Sequence, residues 1–248
     1  MKVIFMGTPD FAVPSLEMLI KKHDVCAVVT QPDKPKGRGK KMVFPIIKEK
    51  AIENGITVYQ PEKVKNDDFI EILKSYNPDI IIVVAFGQIL PESILNLPKY
   101  GCINVHGSLL PKLRGAAPIQ WSVINGDKKT GVTTMYMAKG LDSGDMLIKK
   151  EFEITSTDTY GTVHDKMSIL GAEALEETLE QIENGTIKRI PQDHDQATYA
   201  AMITKDSGHI DWSKSSEQII NLIHGMDPVP GAWCLYNDDV IKIWNAEK

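Results

Sequence analysis

The sequence predicts a doubly wound, mostly parallel α/β sheet followed by a smaller, partial C-terminal piece. Three observations carry this expectation. Residues 2–6, 25–30 and 79–85 are short and almost wholly apolar, the pattern of parallel strands covered on both faces. Segments of helical spacing alternate with such runs as far as Ser108, as in successive βαβ units. From Thr186 onward the texture changes to polar, proline-rich and short strand-like pieces.

In chain order, residues 2–6 form a buried strand ending at Gly7. Thr8 and Pro9 open a helix, with Pro14 tolerated near its start. One glycine stands where a dinucleotide fingerprint needs three, which argues against NAD or FAD. Residues 25–30 form the second strand, after a segment long enough for a right-handed crossover. In residues 31–41, Pro32, Pro35, Gly37 and Gly39 forbid regular structure. Lys34, Lys36, Arg38, Lys40 and Lys41 make five of the eight residues from 34 to 41 basic. A run of this kind is ordinarily a solvated, mobile face. Here it follows the C-terminal end of a strand, the edge on which His106 also lies, and so suggests an anionic partner.

Residues 45–54 read as a helix closed by Gly55, and 56–59 as a short strand. Residues 67–76 are amphipathic, with Phe69, Ile72 and Leu73 on one face. The strand at 79–85 runs into a loop, Phe86, Gly87 and Gln88. Residues 116–125 form a helix with Gly126 past its end. Strands are expected at 131–137 and 145–154, joined by a glycine-rich turn that holds Asp142 and Asp145. Residues 158–184 form a long helix stopped by Asn184 and Gly185; its Glu173, Glu176, Glu177 and Glu180 read as a solvated face. A polar connection follows, then a small helix at 215–223 and strand-like pieces at 232–236 and 240–244. The expected division is therefore a main domain at 1–185, a linker at 186–205 and a second piece at 206–248. Forty-odd residues cannot build an independent core, so that piece is either the start of a truncated domain or an appendage packed on the first.

At 248 residues the chain is one large or two small domains. The net charge of -5 gives no global attraction to nucleic acid or an anionic membrane, which leaves any such contact to a local basic patch. Three scattered cysteines read as buried thiols of a reducing compartment. The apolar start is too short for a signal peptide, and the longest wholly apolar run, seven residues at 80–86, is far short of a membrane span. A cytoplasmic monomer is expected. The six histidines are scattered and no cysteine pair exists, so no metal is expected. No Walker loop and no Gly-x-Ser-x-Gly elbow is present.

What remains is the stretch at 101–115. Ile103 and Val105 point to one face of a short strand, Asn104 and His106 to the other. His106 ends that strand, at the edge where open α/β sheets hold ligands. The pair alone reads equally well as turn-initiating polar groups. With Asp142 added, an amide, an imidazole and a carboxylate suit acyl transfer without a protein nucleophile. The first two donate to a developing oxyanion, and the third orients the imidazole or shuttles a proton.

The run from Asn104 to Gly115, with its Asn-Val-His-Gly-Ser-Leu-Leu-Pro core, resembles the signature of tetrahydrofolate-dependent formyltransferases, and 140–145 resembles their second motif. The basic loop, with Gly208-His209-Ile210-Asp211-Trp212 and Pro230-Gly231-Ala232-Trp233, is similar to the members whose acceptor is initiator methionyl-tRNA. The resemblance covers the whole chain. It implies transfer of a formyl group from 10-formyltetrahydrofolate to the methionine α-amino group. It puts Asn104, His106 and Asp142 at the catalytic positions and Ser108, Leu109, Leu110 and Pro111 in the folate-binding segment. It also puts Phe86, Gly87 and Gln88 beside the pterin, and Arg38 with Lys34, Lys36, Lys40 and Lys41 against the tRNA acceptor stem. The family's C-terminal domain is a barrel of oligonucleotide-binding type, and the chain stops at Lys248, inside it. Three alternatives stay open: a sibling that formylates an amino sugar or ribonucleotide amine, a formyltetrahydrofolate hydrolase, and a non-catalytic folate- or RNA-binding module.

Overall fold

A computed structural model describes residues 1–36 and 41–247. In chain order the elements are β1 (Lys2–Gly7), α1 (Val13–Lys22), β2 (Asp24–Val29), β3 (Lys34–Lys36), β4 (Lys41–Val43), α2 (Ile46–Glu53), β5 (Val58–Tyr59) and α3 (Asp67–Ser75). Then come β6 (Ile80–Val84), α4 (Glu92–Leu95), β7 (Cys102–His106), β8 (Arg114–Gly115), α5 (Pro118–Ile124), β9 (Lys129–Tyr136) and β10 (Met146–Glu153). The last are α6 (Tyr160–Glu183), β11 (Tyr199–Ala200), α7 (Ser216–Met226), β12 (Ala232–Tyr236) and β13 (Asp239–Ile243). They fall into two compact units. The first comprises residues 1–106, 133–148 and 168–192, the second residues 107–132, 149–167 and 193–248. The units interleave along the chain.

The first unit is built on a seven-stranded sheet ordered β10-β9-β7-β6-β1-β2-β5. β5, β2, β1, β6 and β7 are parallel, and β9 runs antiparallel to β7. All five residues of β6 are buried, because a central parallel strand is covered on both faces. α3 shows the helix logic: Asp67 and Asp68 lie in its first turn, Lys74 in its last, matching the helix dipole, and Phe69, Ile70 and Leu73 are buried. Those three residues join Ile4, Ile81 and Phe86 in one apolar cluster.

The basic segment corrects one expectation. Lys34–Lys36 and Lys41–Val43 pair as an antiparallel ribbon, with Pro35 opposite Met42. A proline fits such a ribbon when its missing N–H faces away from the partner. The root of the ribbon is fastened: Lys48 Nζ donates to Asp33 Oδ2 at 2.6 Å and Gln60 Oε1 at 2.8 Å, and Gln60 Nε2 donates to Asp33 Oδ1 at 2.7 Å. Arg38 and Lys40 lie outside the described residues, as do the side chains of Lys36 and Lys41.

The second unit explains how the C-terminal piece finds a core. Ile210, Ile223, Met226, Ala232 and Cys234 cluster, and Ile124 of α5 packs against them. Gly225 permits the approach of α7 to α5, since a Cβ there would lie 2.4 Å from Ile124 Cγ1. Residues of α5 thus supply apolar area that the last forty residues lack. α7 starts in a full capping box between Ser215 and Gln218, and β12 and β13 form a small antiparallel ribbon.

Candidate active site

β7 sets Asn104 and His106 two residues apart, hence on one face. Asn104 is half-buried, and its carboxamide has no hydrogen-bond partner among the described residues. His106 is buried at 5% exposure, more enclosed than a solvent-reachable strand end. Its Nδ1 lies 3.7 Å from Asp142 Oδ2, so the structure brings the imidazole and the carboxylate together within one unit.

The route by which Asp142 arrives was not legible in the sequence. In the antiparallel register, Thr133 stands opposite His106 and Tyr136 opposite Ile103. β9 therefore ends beside the beginning of β7, at the sheet edge away from His106. The loop also leaves from there, because Tyr136 N donates to Asp145 O at 2.9 Å. Its apex must reach back over β7 by three residues, roughly 10 Å at strand rise, to place Asp142 beside His106. Two backbone features mark the cost of that path. Asp142 sits at φ +45°, in the left-handed region, which strains a non-glycine residue by about 1 kcal/mol. Gly144 passes so close to Tyr136 that a Cβ would lie 1.8 Å from its carbonyl oxygen.

Three residues of the stretch 189–192, Arg189, Ile190 and Gln192, brace the loop. Gln192 Nε2 donates to Asp142 O and Gly144 O, both at 2.8 Å. Met146 and Ile190 exchange backbone hydrogen bonds at 2.9 Å. Arg189 Nε donates to Asp145 Oδ2 at 2.8 Å while its guanidinium lies over the Tyr136 ring. These residues were expected to be linker. A lone glutamine in a polar stretch carries no periodicity, so nothing in the sequence singles it out.

Other expected residues divide differently. The Phe86 ring is core, and its carbonyl accepts from Thr8 Oγ1 and Gln31 Nε2. The Gln88 carboxamide is taken up by Val64 N at 2.8 Å and Pro61 O at 3.2 Å. The exposed part of that loop is Gly87, at φ +83°. In the second unit Ser108 Oγ donates to Lys112 O at 2.6 Å, Lys149 Nζ donates to Leu110 O, and Leu110 is buried between half-buried Leu109 and Pro111. Ser108 thus closes its own turn. Lys34 is exposed on the ribbon. Burial pushes the Cys102 thiol, at the start of β7, up to about 12, so it is no nucleophile near neutrality.

Comparison with known proteins is consistent along the chain. A family model described as formyl transferase matches residues 1–179, and one described as formyl transferase, C-terminal domain, matches 202–248. The chain is 56% identical over 248 residues to "Methionyl-tRNA formyltransferase" of Clostridioides difficile, covering 100% of this chain and 80% of that one. It is 55% identical over 245 residues to the protein of the same name in Acetivibrio thermocellus, covering 98% and 79%. Among solved structures, a 4-N formyltransferase from Francisella tularensis superposes with a TM-score of 0.76 at 21% identity, covering 100% of this chain and 98% of that one. At that identity the likeness speaks for the fold.

Proposed function

The chain belongs to the formyl transferase family, and from that premise we propose that it transfers the formyl group of 10-formyltetrahydrofolate to the α-amino group of methionine on initiator tRNA. Relatives at 55–56% identity bear that activity in their name. Within the structure, the observation that carries the reading is the His106–Asp142 pair at 3.7 Å, with His106 on the strand that also presents the Asn104 carboxamide, unpartnered among the described residues.

The chemistry follows from these groups. The neutral amine attacks the formyl carbon, forming a C–N bond and a tetrahedral oxyanion. The Asn104 and His106 side-chain N–H groups donate to that oxyanion, in surroundings where burial strengthens each hydrogen bond. The Asp142 carboxylate faces Nδ1 at 3.7 Å and holds the ring in orientation. The amine proton leaves, with Asp142 accepting it through water, and the bond from the formyl carbon to N10 breaks as N10 is protonated. The exposed Gly87 backbone and the Ser108–Pro111 turn are assigned to the folate, and the basic side chains of residues 34–41 to tRNA phosphates. No helix among the described residues is long and apolar enough to cross a membrane. A cytoplasmic monomer completes the reading, with support from relatives named for a step of translation and from a His–Asp pair that one chain supplies.

The test offers 10-formyltetrahydrofolate with methionyl-tRNA, with a nucleotide-linked amino sugar, and with no acceptor. Formyl-methionyl-tRNA is the expected product. Transfer to the sugar alone, or deformylation without an acceptor at the same rate, overturns the assignment.

A further inference from the structure

We propose that Gln192 is a positioning residue for the formyl transfer: its carboxamide clamps two carbonyls of the Asp142 loop and so holds the Asp142 carboxylate against His106. The inference rests on the reading of Asp142 as a catalytic group, and it adds a residue that lies fifty positions away in a stretch without a motif.

The geometry is specific. Gln192 is buried at 6% exposure. The Asp142 and Gly144 carbonyls both lie 2.8 Å from the same terminal atom. Carbonyl oxygens only accept, so the atom between them is the amide nitrogen, and both of its hydrogens are used. One planar NH2 group thereby fixes the carbonyls on either side of Ser143. This is the part of the chain that needs fixing. Asp142 sits at φ +45°, a conformation its own backbone does not favour. A residue held in such a conformation persists only where its surroundings over-determine it. The rest of the brace falls later in the loop: Arg189 takes the Asp145 side chain and Ile190 the Met146 backbone. Gln192 is the residue of this stretch that reaches the apex carrying the carboxylate.

A carboxylate that shifts by about 1 Å can cost as much as 10²-fold in turnover. Losing the clamp therefore predicts a defect in kcat for Gln192, and a kind of defect that a fold-wide loss of stability would not produce. The relevant variant is Gln192→Met, which keeps length and apolar volume next to Met135, whose Sδ is 4.0 Å from the amide, but removes both donors.

The experiment is a double-mutant cycle on the full chain with methionyl-tRNA and 10-formyltetrahydrofolate. It compares Gln192→Met, Asp142→Asn and the double variant, with kcat, both KM values and the pH–rate profile measured for each. The expected result is a roughly 10- to 100-fold fall in kcat for Gln192→Met, an unchanged KM for tRNA, and a displaced pH limb of kcat. In the Asp142→Asn background the Gln192 change should cost less than about twofold more, because residues acting as one unit are not additive. Full kcat in Gln192→Met, or losses that multiply in the double variant, overturns the clamp. Full kcat in Asp142→Asn overturns the reading of Asp142 and the clamp with it, so the two failures are told apart. If Gln192→Met proves too unstable to assay, Gln192→Asn replaces it. That shorter amide reaches one carbonyl at most, and kcat midway between the parent and Asp142→Asn is expected, with parental kcat counting against the clamp.

Discussion

His106 and Asp142 divide one task, since the imidazole meets the oxyanion and the carboxylate keeps the imidazole aimed. His106→Ala should lower kcat by roughly 10²–10³, the worth of one oxyanion donor, with thermal unfolding checking that the fold survives. Asp142→Asn should cost at least as much, since orientation and proton acceptance go together. Full turnover in His106→Ala with intact tRNA removes it from the oxyanion. Gly144→Ala tests the loop by another route: a Cβ 1.8 Å from the Tyr136 carbonyl forces the apex to move, so kcat should fall although no functional group is lost. At this scale, what the sequence revealed depended on spacing. Asn104 and His106 stood out because two polar side chains on one face of an apolar strand are out of place in a core. Gln192 did not, because its partners are backbone carbonyls fifty residues away, and a backbone carbonyl leaves no trace in the residue alphabet.

The helix and strand elements were legible wherever burial imposes a period. β6 and α3 were expected within a residue or two of where they lie, the first from its unbroken apolar run and the second from its amphipathic spacing. The basic ribbon was misread because prolines and glycines signal turns locally, whereas pairing with β4 is decided by a neighbour. Its fastened root yields a prediction. The Lys48 ammonium and the Gln60 amide hold the Asp33 carboxyl below its usual range. Lys48→Ala should raise KM for methionyl-tRNA, by up to about fivefold, and leave the folate KM alone. Arg38→Ala should weaken use of tRNA by about 1–3 kcal/mol if the guanidinium grips a base edge. A folate KM that rises instead would move the basic segment to the folate site. At the start of α6, Asp158 accepts from Thr155 N, Thr155 Oγ1, Thr162 Oγ1 and Lys166 Nζ, at 2.6–2.9 Å. Burial alone would push its carboxyl up, but the ammonium and the Thr155 and Thr162 donors outweigh burial and hold it well below the usual carboxylate range. With the folded value depressed, the stabilisation is complete above the unfolded value near 4 and is lost as pH falls below it. Asp158→Ala should therefore cost about 2 kcal/mol at pH 7, and chemical denaturation should show the gap between variant and parent closing as pH drops from about 4 towards 2. A gap constant over that range would deny Asp158 the role.

For the whole molecule, a net charge of -5 means that attraction to tRNA is local. If the five cations from Lys34 to Lys41 supply it, the log–log dependence of tRNA binding on salt should have a slope no steeper than about -4.5, the double-strand limit for five phosphates. A much steeper slope would demand basic residues elsewhere. The interleaving of the two compact units has no signature in the sequence, because contact between segments far apart in the chain leaves no local mark. The path passes between the two units after residues 106, 132, 148, 167 and 192. Neither unit is therefore a portable module. A chimera cut at residue 185, where the composition changes, would carry the whole recognisable catalytic match, which ends at 179. It would leave behind Arg189, Ile190 and Gln192, and with them the brace on the Asp142 loop. Gene fusion or domain shuffling at that seam would move the signature without its geometry, so the working unit of inheritance is longer than its motifs.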